Sequence, residues 1–234
     1  MNIRVRFRKY GVLKFIGHLD VMRYFQKAIR RADIDICYSE GYSPHMIMSF
    51  ASPLGLGLES DGEYMDIRIN GSISSKEAVR RLNAVMVEGI DVMSFRKLPE
   101  NSKNAMASVA AADYEVRFRE GCAPEDGWKE QFTEFLAQPE MRIVKETKKG
   151  QQEIDIRPWI YSWEIVDDMI KMQVSAGSVH NLKPEMVLKA FAEHIGWDMP
   201  QFALLVTRRE MYADQGTEEE RKLISLEALG EEIG

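Results

Sequence analysis

The chain has 234 residues, of which 45% are hydrophobic and 29% are charged, and its net charge is −6. This composition is ordinary for a globular protein of one large domain or two smaller ones. No window approaches the roughly 18 apolar residues of a membrane span, and the first residues alternate like a strand, unlike a signal peptide. The two cysteines are too few for a disulfide framework. Together these features favour a cytoplasmic protein.

The charges are distributed unevenly along the chain. Residues 1–50 carry nine Lys/Arg against four Asp/Glu, whereas residues 210–234 carry two against eight. A basic segment can steer an anionic partner to one part of the surface, but two solvated faces of unequal sign give the same counts. The overall acidity does not by itself indicate nucleic-acid binding.

The first 99 residues alternate between strand and helix periodicities. Residues 2–9 predict a strand with an apolar face and a basic outer face, the latter formed by Arg4, Arg6 and Arg8. The helix that follows has an apolar stripe of Leu19, Met22, Phe25, Ile29 and Ala32. Further segments predict a strand at 63–70, a helix at 74–89 and a strand at 91–99. If residues 34–39 pair as a short strand, the order is β-α-β-β-α-β, which is that of a ferredoxin-like unit.

A similar rhythm restarts after residues 100–112, a small, polar stretch that predicts a linker. The second half predicts a strand, a helix, a strand, a turn at 148–149 into another strand, a hairpin about Asp167–Asp168, a helix at 182–196 and a last strand.

The predicted fold is therefore α+β, with two tandem ferredoxin-like (βαββαβ) units that have antiparallel sheets. The units are residues 1–99, with a long loop at 38–63, and residues 113–213. Residues 214–234 form an acidic tail that predicts a peripheral helix or a frayed terminus.

The first predicted helix carries a row of cations. They recur at helical spacing on the face opposite the apolar stripe: Arg23, Lys27, Arg30 and Arg31. Such a row can bind phosphates, and arginine binds them bidentately. The alternative interpretation is an ordinary solvated helix face. With Arg4, Arg6 and Arg8 on an open sheet face, the basic surface would be broad.

The 38–63 loop is long, apolar and punctuated by glycine, which is typical of functional loops. Its candidate RNA- or partner-binding residues are Ser39, Tyr42, Ser43, His45 and Ser49. It lacks the G-K-[ST] ending of a phosphate-binding P-loop. A connection that packs over the core by its own Met, Phe and Leu side chains is the alternative.

His18, Asp20 and His45 are weak candidates for a catalytic group. Histidine titrates near neutrality and pairs with carboxylates in acid–base catalysis. Asp20 is explained equally well as a first-turn acid stabilised by the helix dipole. The spacing of these residues specifies no metal, and no cofactor motif is present, so neither a metal nor a cofactor is predicted.

Two long motifs resemble a known family. "FIGHLDVMRYFQKAIRRADI" and "YSEGYSPHMIMSFASPLGLGLESDGEYMDI" are similar to a bacterial family of radical-SAM-linked proteins of unknown function. In that family the domain occurs alone or fused to a cobalamin-binding radical-SAM domain. This chain has no C-x-x-x-C-x-x-C motif to hold an iron–sulfur cluster, so the resemblance implies a separate radical-SAM enzyme as partner.

A fainter likeness concerns architecture. Tandem ferredoxin-like units are similar to those of tRNA pseudouridine synthases and CRISPR-repeat endoribonucleases. "GHLD" resembles the Gly-Arg-x-Asp signature of the synthases, with Asp20 in the catalytic place and His18 where arginine is expected.

Three hypotheses follow. The first is an accessory protein without catalytic activity of its own, which binds tRNA or rRNA and presents it to the radical-SAM enzyme. The second is a protein-interaction domain for that enzyme without RNA binding. The third is an RNA-modifying enzyme that uses His18, Asp20 and His45.

Overall fold

The structure is a computed structural model that describes residues 1–147, 150–217 and 220–234, without the side chains of 145–147. The turn predicted at 148–149 and residues 218–219 of the predicted tail lie outside the described residues. The fold is α+β and its strands pair mostly antiparallel. The chain divides into two compact units, residues 1–111 with 208–234 and residues 112–207. None of the described helices is long and apolar enough to cross a membrane.

The strands are β1 (Asn2–Lys9), β2 (Met48–Phe50), β3 (Glu59–Arg68), β4 (Ile90–Lys97), β5 (Ala111–Phe118), β6 (Arg142–Thr147), β7 (Gly150–Asp155), β8 (Ile160–Val166), β9 (Met169–Ser175), β10 (Leu204–Asp214), β11 (Leu223–Ser225) and β12 (Glu231–Glu232). The α-helices are α1 (His18–Arg31), α2 (Ser75–Asn83), α3 (Ala105–Ser108), α4 (Trp128–Leu136) and α5 (Pro184–Ile195).

The first unit contains an antiparallel sheet with β1 at its centre. β3 and β4 flank β1, β2 pairs with β3, and β12 pairs with β4. The apolar side of β1 packs against the helices, in a core that includes Val5, Phe7, Phe25 and Ile29. Each such side chain contributes about 1.5–3 kcal/mol when it is fully buried. The side of β1 that carries arginines therefore lies on the opposite face of this sheet.

α1 is an amphipathic helix whose buried residues recur at helical spacing: Val21, Phe25, Ala28 and Ile29. It ends before Asp33, which has a left-handed φ of 54°. Leu19 differs from the predicted apolar stripe, because its side chain is 59% exposed. The buried stripe thus begins at Val21, one turn inside the helix.

α2 begins with a side-chain cap, since the Ser74 hydroxyl accepts a hydrogen bond from the Glu77 amide. The Glu77 carboxylate accepts hydrogen bonds of 2.7 Å from both Arg80 and Arg81. These bonds lower the pKa of Glu77 to about 2.

We expect the Glu77 carboxyl group to titrate near pH 2 in an NMR pH series. A carboxylate whose pKa is depressed stabilises the folded state above its unfolded pKa, and that stability is lost as the pH falls through the folded value. In the variant Arg80→Ala/Arg81→Ala the midpoint should rise toward about 4.3, the ordinary value for glutamate. An unchanged midpoint in that variant would contradict the assignment of the shift to these two arginines.

The second unit contains β5, β8, β9 and the first residues of β10, together with α4, α5 and a separate hairpin of β6 and β7. The hairpin predicted about Asp167–Asp168 is confirmed, because Val166 pairs with Met169 across that turn. α5 begins at Pro184 and ends at Ile195. Gly196 follows with a φ of 67°, which suits a residue without a side chain.

The predicted loop and linker contain regular structure. β2 lies inside residues 38–63, whereas the segment predicted as a strand at 34–39 makes only the isolated bridges of Ile36 and Tyr38. Alternating buried side chains such as Met46 and Phe50 explain why this apolar stretch pairs with β3. In the predicted linker, α3 buries Ala105 completely.

The tail and the domain boundary also differ from the prediction. The tail forms β11, a short 3₁₀ helix at Glu227–Leu229 and β12, and Leu226 is fully buried. It therefore belongs to the first unit, together with residues 208–213, which had been grouped with the second half. The first unit has the predicted element order up to β4, and the tandem repeat of ferredoxin-like units stays a prediction.

Candidate nucleic-acid interface

The chain between α1 and β2 forms a small hairpin at residues 38–46, which we call the tip hairpin. Tyr38 pairs with Met46, and the Ser39 amide donates a hydrogen bond of 2.8 Å to the His45 carbonyl. The Ser39 hydroxyl lies 2.8 Å from His45 Nδ1 and also accepts a hydrogen bond of 3.1 Å from the His45 amide. Ser43 and the whole Tyr42 side chain are exposed. The tip hairpin thus orients His45 and presents an aromatic ring to solvent.

A groove of about 440 Å³ lies beside the tip hairpin and includes Asp66, the partner of Arg4, and Asn104, which precedes α3. Its floor is apolar and includes Ile47, Met48 and Leu98. Its polar lining consists of Asn2, His45, Ser49, Asp66, Arg68, Ser102, Lys103 and Asn104. A groove with this volume and this mixed lining falls in the size range of small-molecule sites.

The electrostatic character of the groove is basic. Its carboxylate, Asp66, binds the guanidinium of Arg4 at 2.8 and 3.0 Å, and is thereby neutralised. Arg68 donates a hydrogen bond of 3.2 Å to the Asn2 side chain. In the described part of the chain neither Arg68 nor Lys103 forms an ion pair, so both retain positive charge that can attract an anion.

The predicted cation row lies on the exposed face of α1. All four of its side chains are solvent-exposed. Arg23 forms an exposed ion pair of 3.6 Å with Asp20. Lys27, Arg30 and Arg31 have no ion-pair partner among the residues that the structure describes.

The end of α1, the tip hairpin and the groove share one end of the first unit. The segment after α1 joins the end of β3, where the Cys37 amide donates to the Arg68 carbonyl. At that same end the Ile69 amide donates a hydrogen bond to the Met1 carbonyl, and the Leu98 amide donates one to the Asn2 carbonyl. Six residues, 32–37, separate Arg31 from the tip hairpin. We call this region, formed by the last turn of α1, the tip hairpin and the groove, the basic end.

The three arginines of β1 are all paired with carboxylates, unlike Arg30 and Arg31 of α1. Arg4 is 1% exposed and binds Asp66, while Arg8 pairs with Asp61 at 2.7 Å. Arg6 pairs with Glu210 at 3.1 Å and with Glu227 at 2.8 Å. The predicted open basic sheet face is therefore wrong: acids of the chain's own β3, β10 and tail occupy it.

Burial and neighbouring charges set the pKa values in this network. Burial lowers the pKa of Arg6, but Tyr64, Glu210 and Glu227 more than offset it, and the pKa is raised overall. Burial raises the pKa of Glu210, and hydrogen bonding from Tyr64 at 2.5 Å together with Arg6 only partly opposes this. The network consequently holds Arg6 as a permanent cation that is not available to a partner.

The structure does not join His18, Asp20 and His45 into one group. His18 packs edge-on against Phe50 at 5.1 Å on the helix side of the sheet, at the end of β1 opposite to the basic end. Asp20 is exposed in the first turn of α1, and its pairing with Arg23 suits the helix dipole. No metal-binding cluster of His, Cys, Asp or Glu side chains occurs in the described ranges.

Comparison with known proteins places the chain in a family. A family profile described as "Uncharacterized protein conserved in bacteria (DUF2344)" matches residues 2–184. The chain belongs to the DUF2344 family. The predicted membership of a bacterial family of unknown function is thereby confirmed, whereas the link to radical-SAM enzymes stays a prediction.

Among solved structures, the DUF2344 protein is similar to a chain of the "Crystal Structure of a Cbf5-Nop10-Gar1 Complex". The identity is 11% and the TM-score 0.46 over 89% of this chain and 48% of that chain. The DUF2344 protein thus spans about half the length of that chain. No curated protein matches it.

Sequence reasoning missed several groove residues of this DUF2344 protein. Arg68 could have been found, because it shares a strand face with Asp66 in the alternating segment 63–70. Lys103 and Asn104 lie in the segment interpreted as a linker, where no periodicity marks them. Asn2 gave no signal, since its role depends on a contact with a residue 66 positions away.

Proposed function

We propose that the protein is an RNA-binding accessory module. In this proposal the basic end binds structured RNA, tRNA or rRNA, and presents it to a separate radical-SAM enzyme. With only two cysteines, this chain would leave the radical chemistry to that partner. The protein itself contributes binding and orientation.

One observation carries the proposal: the cations of the first unit fall into two groups. The arginines of β1 are paired with carboxylates, whereas Arg30, Arg31, Arg68 and Lys103 at the basic end are exposed and lack ion-pair partners within the described residues. A cation already paired gains little from a phosphate, because it must first lose its carboxylate. An unpaired one can neutralise a phosphate and release a counterion, which is the main source of nucleic-acid affinity.

The tip hairpin favours an RNA that contains unpaired bases over a fully paired duplex. Tyr42 is fully exposed in the tip hairpin, so an unstacked base can stack on its ring. His45, oriented by Ser39, and Ser49 line the groove and can hydrogen-bond to base edges or to a 2′-hydroxyl. Single-stranded loops of folded RNAs offer such bases.

The test is binding of the full chain to total tRNA and to rRNA fragments across a salt series. The variant Arg30→Ala/Arg31→Ala removes two cations of the basic end. We expect its affinity to fall about ten-fold or more at low salt, and the slope of log affinity against log salt to decrease by about two. The matched control is Arg80→Ala/Arg142→Ala, which has the same net charge but removes arginines that are paired with Glu77 and Glu140.

If the two double variants lose equal RNA affinity, the effect comes from net charge alone. That result would contradict the basic end as the interface. Absence of binding at low salt would overturn the proposal. The protein-interaction alternative would then be tested by capture of a purified radical-SAM partner, whose apolar interface would respond weakly to salt.

A further inference from the structure

The groove of the basic end is lined by two unpaired cations and by one carboxylate whose oxygens are both occupied. Asp66 accepts hydrogen bonds from Arg4 through both oxygens, at 2.8 and 3.0 Å, and one of them also accepts from the Ala105 amide at 2.6 Å. Arg68 and Lys103 line the same groove, are exposed, and have no ion-pair partner among the described residues. The groove therefore offers two positive charges that an anionic ligand can neutralise.

The sheet and the segment before α3 hold these two cations at one place. Strand register puts Asn2 opposite Arg68 and Arg4 opposite Asp66, so these four side chains share one face of the sheet. Lys103 is attached to that face through its carbonyl, which accepts a hydrogen bond of 3.4 Å from Arg4. Arg68 Nε donates to Asn2 at 3.2 Å, whereas its terminal amino groups form no hydrogen bond within the described ranges. Those amino groups can therefore donate to a ligand.

The rest of the groove suits a nucleoside. Its volume of about 440 Å³ lies within the range of roughly 300–1,000 Å³ that is typical of small-molecule pockets. The apolar floor, which includes Ile47 and Met48, can pack against a base. Neutral polar side chains in the lining can hydrogen-bond to a base edge or to the hydroxyls of a ribose: Ser49, Ser102 and Asn104.

His45 adds a further hydrogen-bond donor to the lining. The Ser39 hydroxyl oxygen accepts a hydrogen bond of 3.1 Å from the His45 amide and lies 2.8 Å from Nδ1. The hydroxyl proton is thus free to point at Nδ1, and a neutral ring that accepts at Nδ1 carries its own proton on Nε2. Nε2 can therefore donate to a phosphate oxygen in the groove.

We propose that the groove binds the terminal nucleotide of an RNA, with its phosphomonoester bound by Arg68 and Lys103 and its base on the apolar floor. A phosphomonoester carries about 1.5–2 negative charges at neutral pH, whereas an internal phosphodiester carries one. Two unpaired cations therefore match a phosphorylated RNA end better than an internal nucleotide. The proposal rests on the RNA-binding function proposed above and names the part of the RNA that this groove holds.

The probe is a single-stranded RNA octamer of one sequence, made with a 5′-phosphate, with a 3′-phosphate, or with hydroxyls at both ends, and labelled on an internal base. Binding of each form to the full chain is measured by fluorescence anisotropy at one salt concentration. We expect one phosphorylated form to bind at least about ten-fold more tightly than the hydroxyl form, because charge-assisted hydrogen bonds to the extra phosphate are strong. The preferred form identifies which end of the RNA enters the groove.

The variant Arg68→Gln/Lys103→Gln should lose this preference. The matched control is Lys76→Gln/Arg80→Gln, which removes the same two residue types from the exposed side of α2 and should keep the preference. Both double variants change exposed side chains, so their melting temperatures should stay within about 2 °C of the native value.

Two kinds of failure are distinguishable. If the octamers bind with equal affinity, or if tRNA binds and no octamer does, the assignment to an RNA end is overturned and the RNA-binding function stands. A preference that survives in Arg68→Gln/Lys103→Gln, or is lost equally in the control, would overturn the groove as its site. Absence of binding to tRNA, rRNA fragments and all octamers would overturn the RNA-binding function and this inference with it.

Discussion

Replacing Asp66 with alanine should lower the free energy of unfolding by about 3–5 kcal/mol, the cost of leaving one member of a buried ion pair without its partner. Arg4 is 1% exposed, and Asp66 accepts two of its hydrogen bonds, at 2.8 and 3.0 Å. Asp66 also accepts a hydrogen bond of 2.6 Å from the Ala105 amide at the start of α3. The substitution therefore leaves the buried Arg4 guanidinium without its carboxylate partner and removes the hydrogen bond to the start of α3. Urea denaturation measures the loss.

The control is Asp20→Ala, which removes the acid of an exposed pair and should cost less than about 1 kcal/mol. The double variant Arg4→Met/Asp66→Ala removes both charges and should be more stable than Asp66→Ala alone, because no unpaired charge stays buried. A loss in Asp66→Ala no larger than that in Asp20→Ala would show that Arg4 finds water or another acceptor. The sheet face would then be more open than described.

Arg4 is also the point where three distant segments meet. Besides Asp66 on β3, its guanidinium donates to the Leu226 carbonyl at 3.2 Å and to the Lys103 carbonyl at 3.4 Å. The groove wall at Lys103 and the tail are thus attached to the same side chain.

Local periodicity predicted most of the elements for a physical reason. β1 and α1 have one apolar side each, and a single face buried against the core produces the alternation or the helical spacing that is visible in the sequence. β2 was missed because a three-residue strand is too short to show a period. The tail was misinterpreted because its strands are held by partners from other parts of the chain, such as Arg96.

The candidate site divides in the same way. The cation row of α1 was predicted from helical spacing, whereas the tip hairpin lies in a segment that was predicted only as a long loop at 38–63. The neutralisation of Arg6 was not predictable, because its acids, Glu210 and Glu227, lie more than 200 residues along the chain. Charge counts per segment predicted a basic front and an acidic rear, whereas folding brings these charges together within one unit.

A chain that ends at Ser225 tests this arrangement, and we expect it to lose about 4 kcal/mol or more of stability. Leu226 is fully buried, which corresponds to about 1.5–3 kcal/mol. Ser75 exchanges two hydrogen bonds of 2.9 Å with Ile233, each worth about 1 kcal/mol. Glu227 is lost as partner of both Arg6 and Arg96. Glu232→Ala, which removes an exposed partner of Arg96, should cost less than about 1 kcal/mol.

Substitution of Glu227 by glutamine separates the electrostatic part of the tail's role from its packing. Burial raises the pKa of Glu227, but hydrogen bonds from Arg6 and Ser94 and the charges of Arg6 and Arg96 lower it overall, so the carboxylate is ionised at neutral pH. In Glu227→Gln/Glu232→Gln both carboxylate partners of Arg96 lose their charge, so Arg96 becomes available to phosphates and the salt slope of RNA binding should steepen by about one. If the slope is unchanged, the sheet face is closed by packing alone. If it steepens, the tail carboxylates occupy the arginines that would otherwise bind phosphates, and so restrict RNA to the basic end.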